Sequence, residues 1–368
     1  MKKMMMIFMA GLLLISLNVF ADEPGTGTPG SSTPAPGPPP GSTHNTAYGD
    51  NALSLNTTGN HNTAIGKLSL YHNTTGNYNT SNGDSALSSN TTGSNNTANG
   101  AYALRSNTTA NKNTAIGHSA LRTQSYNNGG TSWDSHNTAV GFEALYENQP
   151  TSTTYGHLNT AVGSLAMRYN TTGSDNVAIG YNALHYNTTG KRNTAIGWRA
   201  LSSITGENNI AIGADATVLG NHRNSIAIGD GAIADESNKV VIGNTHTAKI
   251  GGYVSWSDWS DQRVKTDVQD LGYGLDLIRQ LRPVTFKKIN GNGNTDFGFI
   301  AQDVEALLGD GYNVLDIGGG EERMLSLRYA QFIAPMVKAM QEQQVQIEEQ
   351  QRQIDELKTI VAELRKRL

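Results

Sequence analysis

The chain has 368 residues, a formal net charge of −4 at neutral pH and 37% apolar residues. So small a charge on this length gives no electrostatic pull toward nucleic acid or an anionic membrane surface. Cysteine is absent, which excludes disulfides, thiolate metal sites, a cysteine nucleophile and lipid attachment at a processed N-terminus; 41 glycines with so lean an apolar content fit a repetitive β structure with many turns better than one large core.

Residues 1–21 read as a secretory signal. Lys2 and Lys3 supply the positive end, Met4 to Phe20 is almost wholly apolar, and Val19-Phe20-Ala21 carries the pattern of a cleavage site. Cleavage there starts the mature chain at Asp22; a retained anchor is the alternative, since the apolar run just reaches the shortest length that spans a bilayer. Without it, no other stretch is apolar enough for a helical span. The expected location is secreted or on the cell surface, outside the inner membrane of a bacterium.

Residues 22–44 form a linker that holds seven of the ten prolines, mixed with Gly, Ser and Thr. Proline favours extended geometry and glycine interrupts it, giving a semi-flexible spacer.

From 45 to 254 the chain repeats the unit Asn-Thr-Ala-Ile-Gly-x-x-Ala-Leu-x-x-Asn-Thr-Thr-Gly-x-x. Its closing glycine recurs at 49, 66, 83, 100, 117, 141, 163, 180, 197, 213, 229 and 243. The steps are 17 residues at first, 24 and 22 where insertions fall near Tyr126–Asp134 and Pro150–Gly156, and 14 at the end. This period is too short for a helical hairpin and suits one turn of a β-solenoid. Two short strands are expected per coil, one at Asn-Thr-Ala-Ile-Gly and one around Ala-Leu (Ala52-Leu53, Ala120-Leu121, Ala183-Leu184), with Asn-Thr-Thr-Gly as a turn.

Neighbouring strand residues point to opposite faces. The motif sets Ala (Ala64, Ala115, Ala178, Ala195, Ala211) beside Ile or Val (Ile65, Ile116, Val140, Ile179, Ile212), so both faces are apolar. One face is expected to line a narrow coil and the other to pack on neighbouring chains, with Asn82 and Asn99 marking wetter coils. These Ala-Ile-Gly coils resemble the left-handed β-roll of trimeric autotransporter adhesin heads, best at Asn209–Gly213 and Ser225–Gly229. The resemblance implies a homotrimer. The chain ends in a charged helix rather than the membrane-anchoring β segment of that family.

Residues 255–335 change character. Leu271 to Leu281 has helical apolar spacing, Pro283 to Phe286 begins a strand, Asp296 to Val304 runs from strand into helix, and Leu325 to Tyr329 leads into a long helix. Ser260-Asp261-x-Arg263-x-Lys265, Arg282-Pro283-Val284 and Gly298-Phe299-Ile300-Ala301-Gln302-Asp303-Val304, in this order before a terminal coiled coil, resemble the intramolecular chaperone of endosialidases and phage tail spikes, a set of self-cleaving serine peptidases. Val264 stands where leucine is usual. The resemblance implies that Ser260 is the nucleophile, Lys265 the general base, and Trp259–Ser260 the bond broken. A serine hydroxyl needs a base to take its proton, and lysine serves only where burial favours the neutral amine. Asp261 and Arg263 either orient the site or pair with each other. A folded cap that does not cleave is the alternative.

In 336–368 apolar residues recur every seven positions at Met340, Ile347, Ile354, Val361 and Leu368, with Met336, Leu357 and Leu364 in a second row and Gln343 and Gln350 filling its gaps. Simple heptad rules allow dimers; the two resemblances imply trimers. The nine histidines lack paired metal spacing, and no cofactor or metal is expected. The acidic residues of the repeats are too scattered for a glycosidase pair. The remaining reading of the repeats is a threonine array that binds ice or a polysaccharide; the fibre's ligand stays open.

Overall fold

The structure, a computed structural model, describes residues 43–204, 206–247, 250–251, 260–289, 293–317 and 324–367. The expected signal, most of the linker, Trp259 and Leu368 lie outside the described residues.

The chain is mainly β, built around a solenoid. Twelve three-residue strands, from Thr46–Tyr48 to Val240–Ile242, form one parallel sheet in which each coil pairs with the next. The register repeats the motif: Thr63 faces Thr80, Ala64 faces Ser81 and Ile65 faces Asn82. Ala64, Ala115, Ala178, Ala195 and Ala211 are buried inside the coil, where only a small side chain fits. Their Ile partners point outward and stay about 40% exposed, as at Ile65, Ile116 and Ile179.

The glycine that closes each strand has a reason beyond its turn. At Gly66, φ is +120°, and a Cβ would sit 2.7 Å from the carbonyl carbon and oxygen of Gly83 in the next coil. Side chains have no room between coils there, so the glycines form a column.

The Ala-Leu arc is not the expected second strand. Ala52-Leu53, Ala120-Leu121 and Ala183-Leu184 lie in turns, with the leucines at φ +55°, +51° and +50°. The arc alternates right- and left-handed residues, and Leu70 N–H bonds onward to Ala86 O at 3.0 Å while Asn73 N–H bonds back to Leu70 O at 3.1 Å. This winding drives each leucine into the core, and that burial offsets the left-handed strain of roughly 1–2 kcal/mol per residue. In this arc a strand forms in the later coils, at Thr217–Val218 and Ile233–Ala234, and a further short pair, Ala110–Asn111 with Trp133–Asp134, forms beside the first insertion.

Buried asparagines run through the solenoid as two amide ladders. Asn107 Nδ2 donates to Asn90 Oδ1, and Asn90 Nδ2 to Asn73 Oδ1, each at 2.8 Å. A second ladder links Asn62, Asn79, Asn96 and Asn113, whose Oδ1 atoms accept the backbone N–H of the following rung. Both insertions leave from the corner that elsewhere holds the Asn-Thr-Thr-Gly turn. At the first, Gln124 replaces asparagine, and its carboxamide reaches Asn107, Asn137 and Asn148 across the gap.

Among the described residues the C-terminal part has three α-helices, α1 (Leu275–Gln280), α2 (Ala301–Leu308) and α3 (Ile333–Arg367), with two small antiparallel ribbons, Val284–Phe286 on Asp296–Gly298 and Leu315–Ile317 on Leu325–Leu327. Helix α1 is shorter than its apolar spacing suggested, because Gly272 and Gly274 precede it. Helix α3 begins three residues before the expected coiled coil. Its heptad residues Ile347, Ile354, Leu357, Val361 and Leu364 are exposed in the single chain. Among the described residues no helix is long and apolar enough to cross a membrane.

Candidate active site

The described C-terminal segment opens at Ser260. Asp261 has extended geometry, and its Oδ1 accepts the N–H of Arg263 at 2.8 Å, which starts a one-turn 3₁₀ helix over Gln262–Val264. A short acidic side chain at this position satisfies the first free N–H of the turn. Lys265 ends the turn, with its N–H bonded to Gln262 O at 3.1 Å. The turn folds the lysine back on the chain, so that Nζ donates to Ser260 Oγ at 2.7 Å.

Asp261 and Arg263 form a fork. Arg263 Nε donates to Oδ1 at 3.0 Å and Nη2 to Oδ2 at 2.7 Å. These side-chain bonds, and then the Arg263 backbone N–H, hold the Asp261 carboxyl below the usual aspartate range. In return Asp261 raises the Arg263 guanidinium further.

All of residues 260–273 are exposed. The structure thus brings Ser260 and Lys265 together, and Asp261 and Arg263 together, on a turn that is exposed among the described residues.

Two further pairs escaped the sequence reading. Arg282 grips Asp303 through Nε at 2.9 Å and Nη2 at 2.7 Å, joining the Arg-Pro-Val and Gly-Phe-Ile-Ala-Gln-Asp strings. Their order in the sequence was visible; their contact required the fold. The Tyr329 hydroxyl accepts the Phe299 N–H at 3.1 Å and fills the space where a side chain on Gly298 would lie, which accounts for glycine at that position. Among the described residues no group of three or more His, Asp or Glu side chains is arranged to hold a metal ion.

Comparison with known proteins places this segment. The model of the Peptidase_S74 family, described as the chaperone of endosialidase, matches residues 260–311. The match therefore starts at Ser260 and takes in the 3₁₀ turn, Lys265 and both pairing partners Arg282 and Asp303. The crystal structure of the collagen-binding domain of the Yersinia adhesin YadA is similar over 55% of this chain and 78% of that one, at 21% identity and a TM-score of 0.25. No curated protein matches.

Proposed function

We propose that the chain is a secreted or surface fibre of three copies, assembled by its C-terminal segment, which then cuts itself off between Trp259 and Ser260. The observation that carries this is the 2.7 Å bond between Lys265 Nζ and Ser260 Oγ at the first residue of the family match. The exposed Ile column of the solenoid and the exposed heptads of α3 support association with further copies, because apolar surface of this extent is stabilised by leaving water.

The chemistry follows from the placement of the nucleophile beside the bond it breaks. Ser260 Oγ gives its proton to Lys265 and attacks the carbonyl carbon of Trp259. A C–O bond forms, the C–N bond breaks, and the proton passes to the departing nitrogen. The acyl group then sits on the Ser260 oxygen as an ester, and water hydrolyses it to the Trp259 carboxylate and the free serine. Attack within one chain dispenses with substrate binding and enjoys a high effective concentration. Each chain acts once. Lysine works as the base only when desolvated, and in this reading neighbouring chains supply the cover, so cleavage follows assembly.

A permanent cap without cleavage is the second reading, and the exposure of residues 260–273 favours it. Expression of the chain from Asp22 separates the two. Processing yields a fragment of 109 residues (260 to 368) beginning at Ser260, found by denaturing gel and N-terminal sequencing and absent in Ser260→Ala and Lys265→Ala. A single uncut band from an assembled trimer sinks the processing reading; a stable, folded monomer sinks the fibre.

A further inference from the structure

The residue after the nucleophile is an aspartate, and the base lies only four residues beyond it. A carboxylate next to an amine favours the ammonium form, which has no lone pair to accept a hydroxyl proton. The sequence thus puts beside Ser260 a group able to disable Lys265. In the structure both Asp261 oxygens are occupied by Arg263: Oδ1 by Nε and the backbone N–H, Oδ2 by Nη2. Among the described residues Lys265 forms no ion pair with Asp261, Asp267 or Asp270, and its hydrogen bond goes to Ser260.

The geometry points to Arg263 as a positioning residue that withholds the Asp261 carboxylate from Lys265 and leaves the amine to Ser260. This inference rests on the dyad reading above. Arginine suits the task because its planar fork takes both oxygens at once, which a lysine cannot do. The two jobs of Asp261 are separable. Its Oδ1 starts the 3₁₀ turn, and an asparagine keeps that acceptor; its charge is the hazard that Arg263 contains. Residues 260–273 are exposed, and the other acidic residues of that described segment are Asp267 and Asp270.

The test measures the cleavage rate of the full chain against pH in four variants, with circular dichroism and sedimentation to confirm folding and assembly. Arg263→Gln frees the carboxylate, and its half-maximal pH is expected to move up by about one unit, so that cleavage at neutral pH slows about tenfold. Asp261→Asn combined with Arg263→Gln is expected to return the profile to that of the unaltered chain. Asp261→Asn alone is expected to stay within about twofold, because the charge it removes was already withheld. Asp267→Asn combined with Arg263→Gln is expected not to rescue. A slow Arg263→Gln with an unmoved profile, a failed rescue by Asp261→Asn, or rescue by Asp267→Asn overturns the inference while Ser260→Ala still abolishes cleavage. If Arg263→Gln does not assemble, the Asp261→Asn profile decides: an acid shift beyond twofold shows that Lys265 felt the charge all along. Absence of the fragment in the unaltered chain at every pH removes the dyad reading and this one with it.

Discussion

Glu342 Oε2 accepts the backbone N–H of Leu275 at 2.7 Å, so a side chain of the long helix α3 caps the first turn of α1, 67 residues earlier. Gly274 at the head of α1 offers no side chain for the purpose. A carboxylate there satisfies a free N–H and meets the positive end of the helix. Glu342→Ala is expected to cost about 1–2 kcal/mol locally. Hydrogen exchange at the Leu275 amide should then speed up about five- to thirtyfold, with Glu342→Gln in between. Unchanged exchange rules out the cap.

Asn90 lies at the middle of an amide ladder. It donates to Asn73 Oδ1 and Gly93 O and accepts from Asn107 Nδ2, all at 2.8 Å and all buried. Asn90→Ala removes three bonds and leaves buried polar groups short of partners, for an expected loss of about 2–4 kcal/mol in urea unfolding. Thr92→Ala, in the same turn but with a partly exposed side chain, serves as the control and should change stability by roughly 0.5 kcal/mol or less.

Gly66→Ala tests the glycine column. The new Cβ meets the Gly83 backbone, and φ is +120°. Strain at such a backbone angle costs on the order of 3 kcal/mol, and the stacked neighbour has no flexible group to yield. The expected result is local opening of the coils on either side, read as protease cleavage between residues 50 and 100.

The outward isoleucines should matter to assembly and not to the coil. Ile212 and Ile228 are 39% and 37% exposed in the single chain. Replacing both by aspartate places charge on a face that the proposed trimer buries. Analytical ultracentrifugation is expected to show loss of the trimer with the β signal retained. A trimer of unchanged stability means that this column does not face the other copies.

The first insertion carries a pH-dependent contact. Lys112 Nζ meets Asp134 Oδ2 at 2.5 Å. The Lys112 hydrogen bond first, and that of Asn111 next, hold the Asp134 carboxyl below the usual aspartate range. A lowered value in the folded chain means that the contribution is present above the ordinary aspartate value and is lost as pH falls through the lowered one. With both side chains 45% exposed, the contribution is on the order of a few tenths of a kcal/mol and weakens with salt. The Asp134 carboxyl resonance is expected to titrate below that of a model peptide, and Lys112→Ala should return it upward.

Much of the fold was legible because the solenoid repeats locally. The alternation of Ala64 and Ile65 announced a narrow interior and an apolar exterior, and the steps between glycines located both insertions. The Ala-Leu pairs misled, since two apolar residues in a β-rich chain read as a strand. Nothing in the sequence of Ala183-Leu184 announces a left-handed leucine. The asparagines read as turn formers, and their burial was hidden because the partner of Asn90 lies 17 residues away in either direction. Among candidate site residues, Ser260 and Lys265 are close in the chain and were singled out by the family resemblance of the string that holds them; Arg282 and Asp303, separated by 21 residues, were quoted without their contact.

Sequence alone determined the coil period, the split of each strand into a small and a branched apolar face, and the order of Ser260, Asp261, Arg263 and Lys265, because these depend on chemistry within one unit or one turn. Tertiary structure decided where the amide hydrogen bonds go, why the glycine column tolerates no side chain, and that Arg282 meets Asp303. Those outcomes arise from atoms that meet only after the backbone has wound on itself, at distances of a few ångströms that no local pattern encodes.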